Sequence, residues 1–379
     1  MKMHGLLLVL CSCLLLTCLV PAKLFGAQSG DWTYEFLYGK YWITGYTGGG
    51  GAVTIPSELD GNAIYGVNLV GTSITSIQVE EGIEDVNLHS LINMTFVSLP
   101  STVKSFKDWY GNNRPAFHYC PKLTQIEVDV DNQSFKSVEG ILYSKDGTEL
   151  VRYPSGRLGS FSFPSEVTSI RSPAFFQASG LTEIVIPSRI IEIEDYVFAG
   201  CTGLSSVTFE TFQNPVSLKW FGVETIGVEA FGSCSILEGI TLPRTLSYID
   251  ASAFMASAKV ESISVDPNNP QFAGVDGILF NKALTNLLIC PPGKTTAHQI
   301  PASVTTVGDR AFYYCASLNS VRLPAALTAI GEQAFIRCIS LPYIRIPSSV
   351  TQIGNGAFWS CSSLSNAYFS GAVAPASIP

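Results

Sequence analysis

Apolar residues in this chain come in short alternating runs that stop at proline. In Ile344-Arg345-Ile346-Pro347 two isoleucines flank one polar position, and the proline that follows has no N–H for a ladder. Such a run predicts a short strand with one face inward, ended by its proline. The run belongs to a longer unit, L-x-x-I-x-I-P-x-x-V-x-x-I-G-x-x-A-F-x-x-C, with clear copies from Leu181, Leu318 and Leu341 and looser ones from Met94, Leu123, Leu204, Leu237 and Val260. Pro301, Pro324 and Pro347 recur at a step of 23, and Ala311-Phe312, Ala334-Phe335 and Ala357-Phe358 keep the same step. A fixed period of roughly 20–30 residues predicts a solenoid, because one such unit cannot bury its apolar face alone. Phe and Cys stand at i and i+3, so the A-F-x-x-C piece is expected to form a short helical turn with Phe as a spine residue. The fold expected is mainly β, with stacked parallel strands.

Two units carry insertions of similar wording, at about 129–156 and 266–293. Each reads as a β-hairpin, the first around Lys145-Asp146-Gly147. The resemblance extends beyond the insertions. Phe117 and Phe254, Gly140 and Gly277, Pro164 and Pro301, and Cys201 and Cys338 all stand 137 apart, so one block is used twice. Upstream, Trp32 to Leu37 and Tyr41 to Tyr46 alternate and suggest a hairpin capping the first coil, with Gly48 to Gly51 as a joint and Val53-Thr54-Ile55-Pro56 opening the ladder. Residues 57–115 are degenerate, with 108–115 read as a loop. The expected layout is a signal peptide at 1–27, an N-terminal β cap at 28–70, the solenoid at 71–370 and a flexible tail at 371–379.

Composition sharpens this. Only 14% of residues are charged and 46% are hydrophobic, against about 25% charged in an ordinary domain. The net charge of −8 argues against a nucleic-acid partner, which needs a basic footprint. Lys2 followed by apolar Leu6 to Val20 reads as a secretory signal, cleaved after Ala22 or Ala27. A lipid anchor at Cys18 is the alternative, which Thr17, Leu19 and Val20 fit poorly. No other stretch reaches the ~18 apolar residues of a membrane span. Of ten cysteines, seven lie beyond the signal, and six of these follow a repeat Phe by three residues. Ala178 and Ser257 fill the same slot elsewhere, which reads as a small buried site rather than a disulfide framework or a zinc site.

The wording Ile344-Arg345-Ile346-Pro347-Ser348-Ser349-Val350, then Ile353-Gly354, Ala357-Phe358 and Cys361, resembles the leucine-rich repeat family of the BspA-like type. The match covers most of residues 70–370. The resemblance implies a right-handed solenoid with a parallel sheet on its concave face. It also implies adhesion or recognition at the cell surface, with extracellular-matrix or host proteins as partners. The family shares no ligand-binding motif, so no site is carried over. This chain departs from many members in showing no evident cell-wall anchor.

Chemistry is sparse. There is no G-x-S-x-G elbow and no phosphate loop. His89, His118 and His298 fall in unrelated coils, and regular spacing puts His298 in an inward slot with Ile184 and Val321. Asp129, Asp131 and Asn132, repeated as Asp266, Asn268 and Asn269, could ligate calcium but suit turns better. No catalytic residue, metal or cofactor is expected. The exposed middle residue of each I-x-I stacks along the sheet at about 4.8 Å per coil. That stripe runs from Ser98 and Glu127 through Val185 and Thr208 to Gln299, Arg322, Arg345 and Tyr368. Two stacked arginines, with Tyr343 and Tyr368, mark Arg322, Arg345, Tyr343 and Tyr368 as the candidate ligand-binding set for an anionic partner. The expected function is a secreted or cell-surface monomer that binds an extracellular protein or glycan without catalysis. A glycan-binding accessory or glycan-acting enzyme is the alternative.

Overall fold

The computed structural model describes residues 26–71, 73–107 and 116–370. Residues 1–25 of the expected signal, the tail, and the loop at 108–115 lie outside the described residues, while Ala27 opens the strand Ala27–Ser29. Among the described residues every regular element is a β-strand. They stack as a solenoid with parallel pairing from coil to coil.

The I-x-I runs form the longer strands. Leu181–Ile186 pairs in parallel with Ser206–Phe209, Gly239–Leu242 with Ser262–Val265, and Tyr343–Ile346 with Asn366–Phe369. Ile344 and Ile346 are buried while Arg345 between them is exposed, as the alternation requires. A second parallel ladder, which the sequence pattern did not reveal, is built from two-residue strands. Thr306–Val307, Ala329–Ile330 and Gln352–Ile353 pair in order, with Val307, Ile330 and Ile353 facing the core.

The A-F-x-x-C segments are turns, not helices, which corrects the expectation of short helical turns. Two causes act together. In several copies the residue before Ala-Phe is left-handed, as at Glu229 (φ 48°), Arg310 (φ 54°) and Gln333 (φ 53°), and so is the second residue after Phe, as at Ser233, Tyr314 and Arg337. A helix cannot pass through such residues. The amides are also committed elsewhere. Phe198, Phe231, Phe312 and Phe335 each donate N–H to a carbonyl of the next coil, at Ala230, Ala253, Ala334 and Ala357. The phenylalanines do form the expected spine. Phe198 and Phe231 stack at 5.3 Å, and Phe312 and Phe335 at 4.5 Å.

Each insertion is a three-stranded meander rather than one hairpin. Phe135–Val138 turns into Ile141–Ser144 through Glu139-Gly140, and Glu149–Arg152 follows. Both Glu139 (φ 51°) and Gly140 (φ 76°) are left-handed, the requirement of a primed two-residue turn that favours glycine second. Asp276 and Gly277 repeat it. The third strand joins the short ladder, pairing Leu150 with Ile170.

Near the N-terminus, Trp32–Leu37 and Lys40–Tyr46 form the expected antiparallel hairpin. Lys40–Tyr46 then pairs in parallel with Asn62–Val70, and that strand with Asp85–His89. The region that lacks repeat wording is therefore regular sheet. Buried clusters follow one another along the chain from Tyr34–Val151 through Ile141–Ile289 to Ile278–Ala357, as a stack of coils requires.

Candidate functional site

Strand register places the four candidate residues together. Tyr343 and Arg345 point outward from Tyr343–Ile346, two residues apart on one face. Arg345 pairs with Tyr368 of Asn366–Phe369, and its guanidinium carbon lies 5.6 Å from the Tyr368 ring centre. The Tyr343 and Tyr368 rings meet edge to face at 6.2 Å. Both tyrosines are about half exposed, at 45% and 50%. Arg322, one repeat earlier, donates its amide to the Ala297 carbonyl at 3.0 Å and leaves its side chain in solvent. Arg322, Tyr343 and Arg345 share a groove of about 750 Å³ with Ile300, Ser320 and His298. Among the described residues the groove lining contains no carboxylate, and neither arginine belongs to an ion pair.

His298 corrects the sequence register. Thr296–Ala297 pairs with Ser320–Val321, so Ala297 opposes Val321 and fills the inward slot, while His298 is exposed beside Arg322. Ala297, at 0% exposure, buries a methyl without cost, whereas an imidazole there needs a hydrogen-bond partner. A one-residue slip therefore turns the histidine outward. The stripe here reads His298, Arg322, Arg345, Tyr368, with Gln299 also exposed next to His298. The signal was available: two residues, not one, separate Ala297 from Ile300.

At its other end the stripe is acidic. Glu127 opposes Ser98, and the two border a depression with Glu80, Glu81 and Asp129. Glu80 and Glu81 are held by Ser57 and Ser101 of neighbouring turns.

The oxygen-rich turns are accounted for by the backbone. The Asn132 amide donates to the Pro100 and Val103 carbonyls at 2.9 Å, and its oxygen accepts the Ser134 and Phe135 amides at 2.8 Å. Asn269 repeats all four contacts, with Pro243, Leu246, Gln271 and Phe272. Among the described residues no group of three or more His, Cys, Asp or Glu side chains converges on a metal-sized site. No helix among them is long and apolar enough to cross a membrane.

Stacked parallel strands, a phenylalanine spine and an exposed strand face define a leucine-rich repeat solenoid. The chain belongs to the family described as the BspA type leucine rich repeat region, which matches residues 153–272 and 293–376. Solved structures similar to it include a leucine rich cell surface protein from Faecalibacterium prausnitzii (20% identity, 91% of this chain and 95% of that one, TM-score 0.47). The pneumococcal vaccine antigen PcpA is similar at 19% identity (90% and 81%, TM-score 0.45). A leucine-rich repeat protein from Eubacterium ventriosum is similar at 18% (93% and 96%, TM-score 0.39). No curated protein matches the sequence.

Proposed function

We propose that this protein is a non-catalytic binding module, secreted or held at the cell surface, that takes an anionic extracellular protein or glycan on the exposed face of its longer-strand sheet. The observation that carries this is the pair Arg322 and Arg345. They are stacked one coil apart, exposed, flanked by two tyrosines, and set in a groove without a carboxylate. Like charges on adjacent strands repel mildly, so the pair destabilises an empty site and favours an anion that relieves it. Arginine offers a planar fork to carboxylate, sulfate or phosphate, and the tyrosines add contact area with little loss of side-chain freedom. Glycan hydrolysis would need two carboxyl groups roughly 5–10 Å apart across a cleft, and the groove lining supplies none.

The test is the double variant R322E/R345E, assayed on immobilised sulfated glycans, acidic peptides and matrix proteins. The expected outcome is loss of at least about tenfold in affinity for the anionic ligands that wild type retains, with wild-type binding weakening as salt rises. Unchanged binding of the variant to every such ligand would overturn the reading.

A further inference from the structure

A second cavity, of about 850 Å³, lies on the turn side of the first insertion and is unrelated to the groove. Its wall combines Phe106, Phe135 and Phe176 with Ser105, Ser172 and Arg152. Arg152 is 1% exposed. Its Nη1 donates to the Pro173 carbonyl at 3.1 Å, and its Nη2 to Ser155 Oγ at 2.7 Å and to the carbonyls of Phe176 and Phe117 at 3.1 and 3.3 Å. Among the described residues its Nε has no acceptor. Burial draws its pKa down to about 10, which still leaves it charged at neutral pH. The other cations of the wall are matched, Lys104 by Glu84 at 2.7 Å and Arg171 by Glu149. Among the described residues no carboxylate lines the cavity.

The internal duplication supplies the comparison. Arg152 pairs with Leu142, and 137 residues on Ile289 pairs with Leu279 in the same register. Ile289 is likewise buried, and Pro292 stands where the first copy has Ser155. The meander therefore closes with an aliphatic residue at this position, and its geometry does not demand a buried charge. A buried charge without a counter-charge is costly unless something supplies one.

We infer that this cavity binds a small apolar molecule carrying a carboxylate, its body against Phe106, Phe135 and Phe176 and its acid group directed to the Arg152 guanidinium. The volume suits such a ligand, and an apolar wall with few polar groups is the usual form of a small-molecule site. The carboxylate would give the charge its missing partner.

Benzoate and its neutral counterpart benzyl alcohol test this on the full chain at constant ionic strength, with acetate as a small acid lacking the apolar body. Benzoate is expected to bind saturably and to raise the melting temperature more than either control. The variant R152I, which installs the duplicate's residue, is expected to lose benzoate binding by about tenfold or more while keeping a folded spectrum. Equal effects of benzoate and benzyl alcohol, or undiminished benzoate binding by R152I, would overturn it. Should R152I not fold, the Arg152 Nε–H resonance of nitrogen-labelled wild type decides. It shifts as benzoate is added if the inference holds, and stays fixed if it fails. A negative result here leaves the Arg322–Arg345 reading untouched, because the two sites share no residue.

Discussion

The thiols of Cys201, Cys234 and Cys338 reach back one coil to the carbonyls of Phe175, Phe198 and Phe312 at 3.2–3.3 Å. Ser257 does the same to Phe231 with its hydroxyl at 2.7 Å. Burial pushes the Cys234 thiol up to about 12, so it remains protonated and able to donate. Cys234→Ser is therefore expected to change stability by less than about 1 kcal/mol, because the donor survives. Cys234→Val, which removes the donor and adds volume in a filled slot, is expected to cost about 1–3 kcal/mol. Chemical denaturation of the two variants separates a donor slot from a merely small one. A position shared by Cys, Ala and Ser told of small size in the sequence, but the donor role needed the neighbouring carbonyl. The seventh cysteine, Cys290, stands 137 residues after Tyr153, which stacks on Phe175 at 5.0 Å, so it fills the corresponding place in the second copy. His298 escaped for a related reason: fixed spacing assigns faces only while the register holds, and one added residue reverses them.

At the scale of elements, proline-terminated runs such as Ile184 to Ile186, Ile240 to Leu242 and Ile344 to Ile346 end with their strands, because alternation and a missing N–H are local properties, whereas Val321-Arg322-Leu323 leaves only Ser320–Val321 as strand. The turns were not legible in the same way. The i, i+3 spacing of Phe and Cys suits a helical turn, yet the Phe amides bond between coils, and only a neighbouring copy shows that. The meanders illustrate a third case. Their oxygen-rich openings, Asp129 to Asn132 and Asp266 to Asn269, fit either cation ligands or turn caps until the four contacts of each asparagine are seen. Because Asn269 is 0% exposed and ties the meander to Pro243 and Leu246, Asn269→Ala is expected to cost about 2–4 kcal/mol. Hydrogen exchange should show faster opening of Phe272–Val275 and Ile278–Asn281 in that variant. Protection there equal to wild type would mean the asparagine is not what anchors the insertion.

For the whole molecule, nearest-neighbour stacking makes stability a local sum. Phe335 lies between Phe312 and Phe358, at 4.5 and 5.3 Å. Phe335→Ala is expected to cost about 3–5 kcal/mol in the coils around it. Exchange protection should fall most at residues 311–358 and stay at wild-type levels in Trp32–Leu37 and Lys40–Tyr46. A uniform loss would instead mean that the stack melts as one unit. The sequence period announced this architecture, whereas the ordered strands at Asn62–Val70 and Asp85–His89 carry no repeat wording and were invisible to it. The exposed positions of the longer strands, which lie in successive separate ladders, run from Glu127, beside Glu80, Glu81 and Asp129, to His298, Arg322 and Arg345. Under the binding role proposed above, opposite signs at the two ends would let a uniformly negative chain settle at one end alone, and would let an elongated partner with its own charge gradient lie in only one direction. Such a face would set the polarity of docking more than its strength.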